Sequence, residues 1–298
     1  MRRKKTFATA ALFLAAAVFG RPGPCSADPP PYRRIVSVAP SLTETLFAVG
    51  AGDQVAGVTR FCIYPKEAKL KPKIGGYMDP NSEMILALKP DIVLLLHENG
   101  GHLENLRRLG LNVKLIDQRT VQAILNSIRE IGALTGKEET AQNLEETIRK
   151  RMDRLKSKTA GEKPPRVLLA VSHEAALTPP KRVFVPQRRS FFGEMIEMAG
   201  GKNVCERNGS HFEMLSQEGM IQLDPDVILD FIPGLRESGI SREEMIKQWA
   251  KIPGLRASRN GRVHIFDQLH AVVPGPRFIE ILEEMSKKIH PEAWKETP

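Results

Sequence analysis

Ser82-Glu83-Met84-Ile85-Leu86-Ala87-Leu88-Lys89-Pro90-Asp91-Ile92-Val93-Leu94 reads as a short helix, a stop and a buried strand. Gln217-Glu218-Gly219-Met220-Ile221-Gln222-Leu223-Asp224-Pro225-Asp226-Val227-Ile228-Leu229 repeats it in the second half of the chain. In each copy a Glu stands seven residues before a Pro-Asp pair, and an apolar strand follows at once. Copies this far apart are too widely spaced for a solenoid. They predict two similar α/β lobes, each carrying one exposed Glu, with a cleft between the lobes and a partner that grips both acids.

Around the repeat the chain alternates strand and helix. Ile35–Val38, Val55–Val58, Ile92–Leu96 and Val113–Ile116 read as strands. Leu42–Val49, Leu103–Leu109 and Val121–Leu134 read as helices, with stops at Gly50 and Gly110. Such alternation means βα units and a parallel sheet. From about Lys137 to Ser157 the residues Ala141, Leu144, Ile148, Met152 and Leu155 step by three or four, which gives one amphipathic helix about 30 Å long. Its acids at the start and its Arg and Lys residues near the end suit the helix dipole, so the charges read as a solvated face. The second half repeats the alternation: strands at Val167–Val171, Val227–Phe231 and Val263–Phe266, helices at Ser190–Ala199 and Phe278–Ile289.

The first residues read as a targeting segment. Arg2, Arg3, Lys4 and Lys5 precede the apolar run Phe7–Gly20, which is too short to span a bilayer. Cys25-Ser26-Ala27 offers a signal-peptidase site after Ala27, which implies export to the periplasm. Cys25 is the rival lipidation site, behind a poor lipobox, Pro22-Gly23-Pro24. The whole chain carries a formal +9. Residues 1–27 hold five of its basic residues and no acid, leaving 39 basic against 35 acidic side chains, a mild and interspersed +4. That excludes a nucleic-acid partner in any strong sense. Cys62 and Cys205, in opposite lobes, read as free thiols, and no Cys/His spacing suggests zinc. The boundaries are then 1–27 leader, 28–136 first lobe, 137–158 helix and 159–298 second lobe, with a monomer as the default.

In parallel α/β sheets ligands bind beyond the carboxyl ends of the strands. That rule selects Pro40 and Ser41 at a helix start, Arg60 and Tyr64 after the second strand, and Tyr77 behind Gly75-Gly76. It also selects His97, His173, Arg188, Phe231, His270 and Arg277 at later strand ends. Tyr77 has glycines beside it that leave its ring free to form a flat wall. No G-x-S-x-G, H-E-x-x-H or Walker sequence occurs, which weighs against hydrolase or phosphoryl-transfer chemistry.

Arg34-Ile35-Val36-Ser37-Val38-Ala39-Pro40-Ser41-Leu42-Thr43-Glu44, Val55-Ala56-Gly57-Val58-Thr59, Tyr64-Pro65, Leu88–Val93 and Ala199–Val204 together resemble one family. It is the helical-backbone class of periplasmic substrate-binding proteins, which serve ABC importers of vitamin B12, ferric siderophores and haem. The resemblance runs from about Arg34 to about Ile289. It implies two Rossmann-like lobes joined by one rigid helix, limited closure and no catalysis. By position, Glu83 and Glu218 match the acids that dock onto the permease dimer, and Tyr77 matches an aromatic wall of the vitamin B12-binding members. The expected ligand is a metal chelate, corrinoid preferred, with no resident cofactor and no protein-bound metal. Only Trp249 and Trp294 are present where B12 binders carry several Trp, and Arg60, Arg188, Arg189 and Arg277 would equally suit an anionic siderophore or haem propionates. Two rival readings stand beside it: a sensor subunit for a membrane receptor, and an exported metal enzyme using His97, His173 and His270 with Glu98 or Glu174.

Overall fold

A computed structural model describes residues 31–171, 178–207 and 212–295. In the first half, β1 (Ile35–Ser37), α1 (Pro40–Ala48), β2 (Val55–Val58), α2 (Ser82–Ala87), β3 (Ile92–Leu96), α3 (Leu103–Arg108), β4 (Val113–Ile116) and α4 (Val121–Thr135) follow in chain order. Their strands form a sheet in the order β2-β1-β3-β4, parallel throughout. Every residue of β1 and β3 is buried, as expected for strands covered on both faces.

The chain then enters α5 (Glu138–Lys158). The turn before it is made by Gly136 in the left-handed region, φ +66°, a conformation that glycine adopts without strain. Gly132 of α4 faces Ala141 of α5, and a Cβ added at Gly132 would lie 2.5 Å from that of Ala141. The two helices therefore touch backbone to side chain, and the apolar stripe of α5 lies on the core as its spacing predicts.

The second half comprises β5 (Arg166–Val171), β6 (Arg182–Pro186), α6 (Phe191–Met198), β7 (Lys202–Asn203), β8 (Phe212–Ser216), α7 (Gln217–Leu223), β9 (Val227–Phe231), α8 (Arg242–Ala250), α9 (Arg256–Arg259), β10 (Val263–Phe266) and α10 (Phe278–Ile289). Among the described residues the sheet order is β10-β9-β5-β6-β8, with β7 beside β5. β5, β9 and β10 are parallel, whereas β6 runs antiparallel to both neighbours. The β6–β8 pair is an addition that sequence periodicity did not disclose: β8 alternates exposed and half-buried residues, and β6 mixes Arg with apolar side chains.

One buried cluster runs from Leu42 and Leu94 through Ile128 of α4 and Ile148 of α5 to Leu169, Met195 and Leu282. Each such fully buried side chain contributes about 1.5–3 kcal/mol, so α4, α5, α6 and α10 join the two sheets through a common core. The outer face of each sheet has its own cluster, around Val93 and Ile85 in the first and around Trp249 and Met220 in the second. Cys62 and Cys205 are free and buried.

The repeated sequence is a repeated structure. Asn81 caps α2 by accepting from Met84 N, and Ser216, at the same repeat position, caps α7 by accepting from Gly219 N. Ile85 and Met220 are the buried anchors. Lys89 and Asp224 follow, with φ of +46° and +38°, the non-glycine residues of positive φ among those described. Asp91 Oδ2 then accepts from Arg34 N at 2.9 Å, and Asp226 Oδ2 accepts from Arg166 N at 2.9 Å. The same arginines reach back over the turn: Arg34 Nη2 donates to Leu88 O at 2.6 Å and Arg166 Nη2 to Leu223 O at 2.8 Å. Each Pro-Asp pair thus latches a helix–strand unit to the first strand of its sheet.

Candidate functional site

α1 begins directly after β1, with Pro40 at its first position and no side-chain cap. Its first residues, Pro40 and the buried Ser41, line an open space. That space is a cavity of about 640 Å³ between the two halves. From the first half, Pro40, Phe61, Tyr77, Met78 and Leu96 supply apolar walls, and Arg60, Asp79, Glu98 and Gln118 are its polar members. From the second half come Val272, Val273 and Pro274. A second compartment of about 560 Å³ shares Pro40, Arg60, Phe61, Val272 and Val273 and adds Tyr64, Leu269, His270 and Arg277. The two compartments make one cleft. Phe61, Tyr64, Met78 and Leu269 are 53, 47, 64 and 45% exposed. Large apolar side chains left this open around a concavity mark a binding surface.

Local structure explains the wall. Gly75 has φ +98°, and a side chain at Gly76 would collide with Asp79 and with Arg60, whose guanidinium pairs with Asp79 at 3.2 Å. The two glycines allow the tight turn that presents Tyr77. Asn99, buried at the end of β3, donates from Nδ2 to the Tyr77 carbonyl at 2.8 Å and fixes that turn from below. Burial, with the Glu98 carboxylate beside it, pushes the Tyr77 phenol up to about 12, so at neutral pH the ring is a neutral amphipathic surface.

Opposite, the segment after β10 lies against α1. A Cβ at Gly275 would stand 3.4 Å from Ser41 Cα and 3.5 Å from Glu44 Oε2. Beside it Arg277 makes a bidentate pair with Glu44, at 2.8 Å from Nε and 2.5 Å from Nη2, and stacks 3.6 Å over the Tyr64 ring. The Glu44 side chain is 6% and the Arg277 side chain 20% exposed. Burial raises the Glu44 pKa above its ordinary value, against the lowering effect of Arg277. His270 is held low by burial and by the Arg277 charge, and approaches Glu280 at 3.4 Å.

The structure brings together Pro40, Ser41, Arg60, Tyr64, Tyr77, His270 and Arg277 of the residues selected from sequence. It moves three others out. Phe231 is fully buried, with its ring 4.6 Å from Phe266 and 5.9 Å from Phe192, because β9 is covered on both faces. Arg188 pairs with Glu197 at 2.8 Å and lines neither compartment, and the helix it precedes abuts the first lobe, where Glu194 Oε2 accepts from Val121 N at 2.8 Å. His97 is exposed, near the Ile116 carbonyl at 3.4 Å, and lines neither compartment. Arg277 lines the cleft with its Nε and Nη2 donors bonded to Glu44. His173 and Glu174 lie outside the described residues, as do the leader and Cys25. Among the described residues no three His, Cys, Asp or Glu side chains gather to hold a metal ion, and no helix is long and apolar enough to cross a membrane.

Sequence reasoning missed Met78, Gln118, Leu269 and Val272–Pro274. The Leu269–Val272 turn and the loop after it carry no periodicity. Gln118 follows a strand as an ordinary polar residue would. Glu83 and Glu218 are exposed on the first turns of α2 and α7, and hydrogen bonds from its own backbone N–H and from Ser216 hold Glu218 below its ordinary value.

This chain is 29% identical over 273 residues to a Bacillus subtilis protein named as an uncharacterized ABC transporter substrate-binding lipoprotein, YvrC, with 89% of this chain and 82% of that one covered. It is 25% identical over 261 residues to the vitamin B12-binding protein of Vibrio cholerae, covering 87% and 90%. Among solved structures, the periplasmic heme-binding protein RhuT from Roseiflexus sp. RS-1 superposes with a TM-score of 0.73 at 27% identity, covering 88% of this chain and 99% of that one. The family model described as periplasmic binding protein matches residues 35–268, and the chain belongs to that family.

Proposed function

We propose that this protein captures a corrinoid in the periplasm and delivers it to the permease dimer of an inner-membrane ABC importer, without chemical change to the ligand. The observation that carries the reading is the charge arrangement of the apolar cleft. Arg60 is paired with Asp79 and Arg277 with Glu44, while Glu98 lines the cleft with no salt bridge among the described residues and with Arg119 as the nearby positive charge acting on it. A multiply anionic ferric siderophore would meet an excess of carboxylates. A corrinoid, neutral overall and edged with carboxamides, suits apolar walls with a few acceptors. The vitamin B12-binding relative supports the same ligand.

Glu83 and Glu218 are the docking acids in this reading, one on each lobe, so that a dimeric permease contacts both. Export through cleavage after Ala27 leaves the protein free in the periplasm. Tethering through Cys25 is the competing form, since the B. subtilis relative is named a lipoprotein.

The test is calorimetric titration of the chain from Asp28 with cyanocobalamin, haemin, and a ferric catecholate and a ferric hydroxamate. Tight one-to-one binding of cyanocobalamin is expected. Silence there with tight binding of haemin or a siderophore removes the corrinoid and leaves the transport role.

A further inference from the structure

Arg60 and Asp79 meet over the turn that presents Tyr77. A Cβ added at Gly76 would collide with Asp79 Oδ1 and with Arg60 Nη2, so the glycine leaves the pair its room. Both side chains line the main compartment, and Arg60 lines the second as well. They are 54 and 65% exposed, so a molecule in the cleft reaches them. Their contact with each other is loose. One donor, Arg60 Nη2, is shared between the two Asp79 oxygens at 3.2 Å. Among the described residues Arg60 Nε and Nη1 make no hydrogen bond, and the Asp79 carboxylate accepts no other. The guanidinium carbon stands 5.1 Å from the Phe61 ring centroid, with Tyr77 and Met78 as further apolar walls. An ion pair this exposed adds little to stability. Its spare donors and acceptors stand together in a wall that is otherwise apolar.

We infer that Arg60 and Asp79 together read a carboxamide edge of the ligand, Arg60 donating to the amide oxygen and Asp79 accepting from the amide N–H, and that Asp79 is the specificity-determining member. The inference deepens the corrinoid reading above and rests on it. A carboxamide carries an acceptor and a donor on one planar group, the complement of a guanidinium beside a carboxylate. A ligand carboxylate has no proton to give Asp79 at neutral pH. Arg60 attracts it, but Asp79 stands against the same guanidinium and opposes that attraction with a like charge. Only the amide uses both members of the pair. A like charge set against the wrong ligand discriminates where apolar walls alone accept both.

The experiment titrates the wild-type chain and Asp79→Asn with cyanocobalamin and with cobalamin monocarboxylates, in each of which one side-chain amide has been hydrolysed. Wild type is expected to bind at least one monocarboxylate about tenfold more weakly than cyanocobalamin, the size of one hydrogen bond to a charged group lost. Asp79→Asn removes the charge and keeps a weaker acceptor. It is expected to bind cyanocobalamin about threefold more weakly than wild type and that monocarboxylate about threefold more tightly, so that the preference nearly disappears. A merely structural role would weaken all the ligands by one factor and keep their ratio, and that result overturns the inference. Wild type that binds every monocarboxylate as tightly as cyanocobalamin overturns it without any variant, which keeps the test open if Asp79→Asn does not fold. Tight cobalamin binding with no discrimination sinks this inference alone. Tight haemin binding with silence from cobalamin sinks the corrinoid reading and this inference together.

Discussion

Segments 82–91 and 217–226 are held by the same cap, the same buried anchor, the same positive-φ residue and the same Asp–Arg latch, yet the chain leading into each does a different job. Before α2, residues 59–81 form the irregular turn that gives the cleft Arg60, Phe61, Tyr64, Tyr77 and Met78. Before α7 the chain carries β8, which pairs with β6 in an antiparallel extension of the sheet. The second lobe meets the cleft instead with the loop after β10. The duplicated unit is therefore a scaffold that fixes where each Glu sits. Among the described residues the lining of the cleft is asymmetric and comes mainly from the first half. The latches differ in one further respect: Asp226 also accepts from Arg256 at 2.7 Å, and Asp224 binds the same guanidinium at 2.7 Å, whereas among the described residues the Asp91 carboxylate accepts only from the backbone N–H groups of Arg33 and Arg34.

The largest effect should come from breaking the symmetric pair. Glu83→Ala with Glu218→Ala is expected to abolish uptake in cells while ligand affinity stays within about twofold, since exposed acids steer and dock without touching the cleft. An equal loss of affinity would remove the docking role. Next is the clasp between the lobes. Arg277→Ala leaves a buried Glu44 carboxylate unpaired and should cost about 3–5 kcal/mol in urea unfolding. The sign of its pH dependence follows from linkage. The folded Glu44 pKa lies above its ordinary 4.5 and rises further without Arg277, so the folded state holds the extra proton. Stability of the variant should be fullest at about pH 4.5 and below and fall as pH rises through the folded value, with the gap from wild type widening upward. A gap that narrows upward would mean that Glu44 is not the group left exposed to charge.

The two latches separate by smaller amounts. Asp226→Ala and Asp91→Ala should each cost about 1–3 kcal/mol, Asp226 the more, because it loses a side-chain partner as well as a backbone donor. Denaturant midpoints that rank Asp91 first would contradict the account of the extra arginine. The smallest contrast concerns the turn. Lys89→Gly should stabilise by roughly 0.5 kcal/mol, since relief of left-handed strain outweighs the added freedom of the unfolded chain. Asp224→Gly should show no such gain, because it also gives up Arg256.

Much of this was written in the residues. Apolar runs such as Ile92–Leu96 and Val167–Val171 read as covered strands, and the stripe on α5 as a face lying on a core, so sheets, helices and the repeat were legible from local chemistry. Tyr77 was legible because two glycines beside an aromatic ring are a local signal. Phe231 was misplaced because a strand-end rule gives position along the strand but not which residue is covered from above. Arg188 was misplaced because its neighbourhood is set by Glu194 reaching α4, a contact between residues 73 apart. The sequence by itself determined two similar α/β units, one connecting helix and one exposed acid on each. Tertiary structure alone decided which arginines at the cleft are paired with carboxylates. Pattern depends on neighbours in the chain, whereas ion pairing and hydrogen-bond satisfaction depend on neighbours in space.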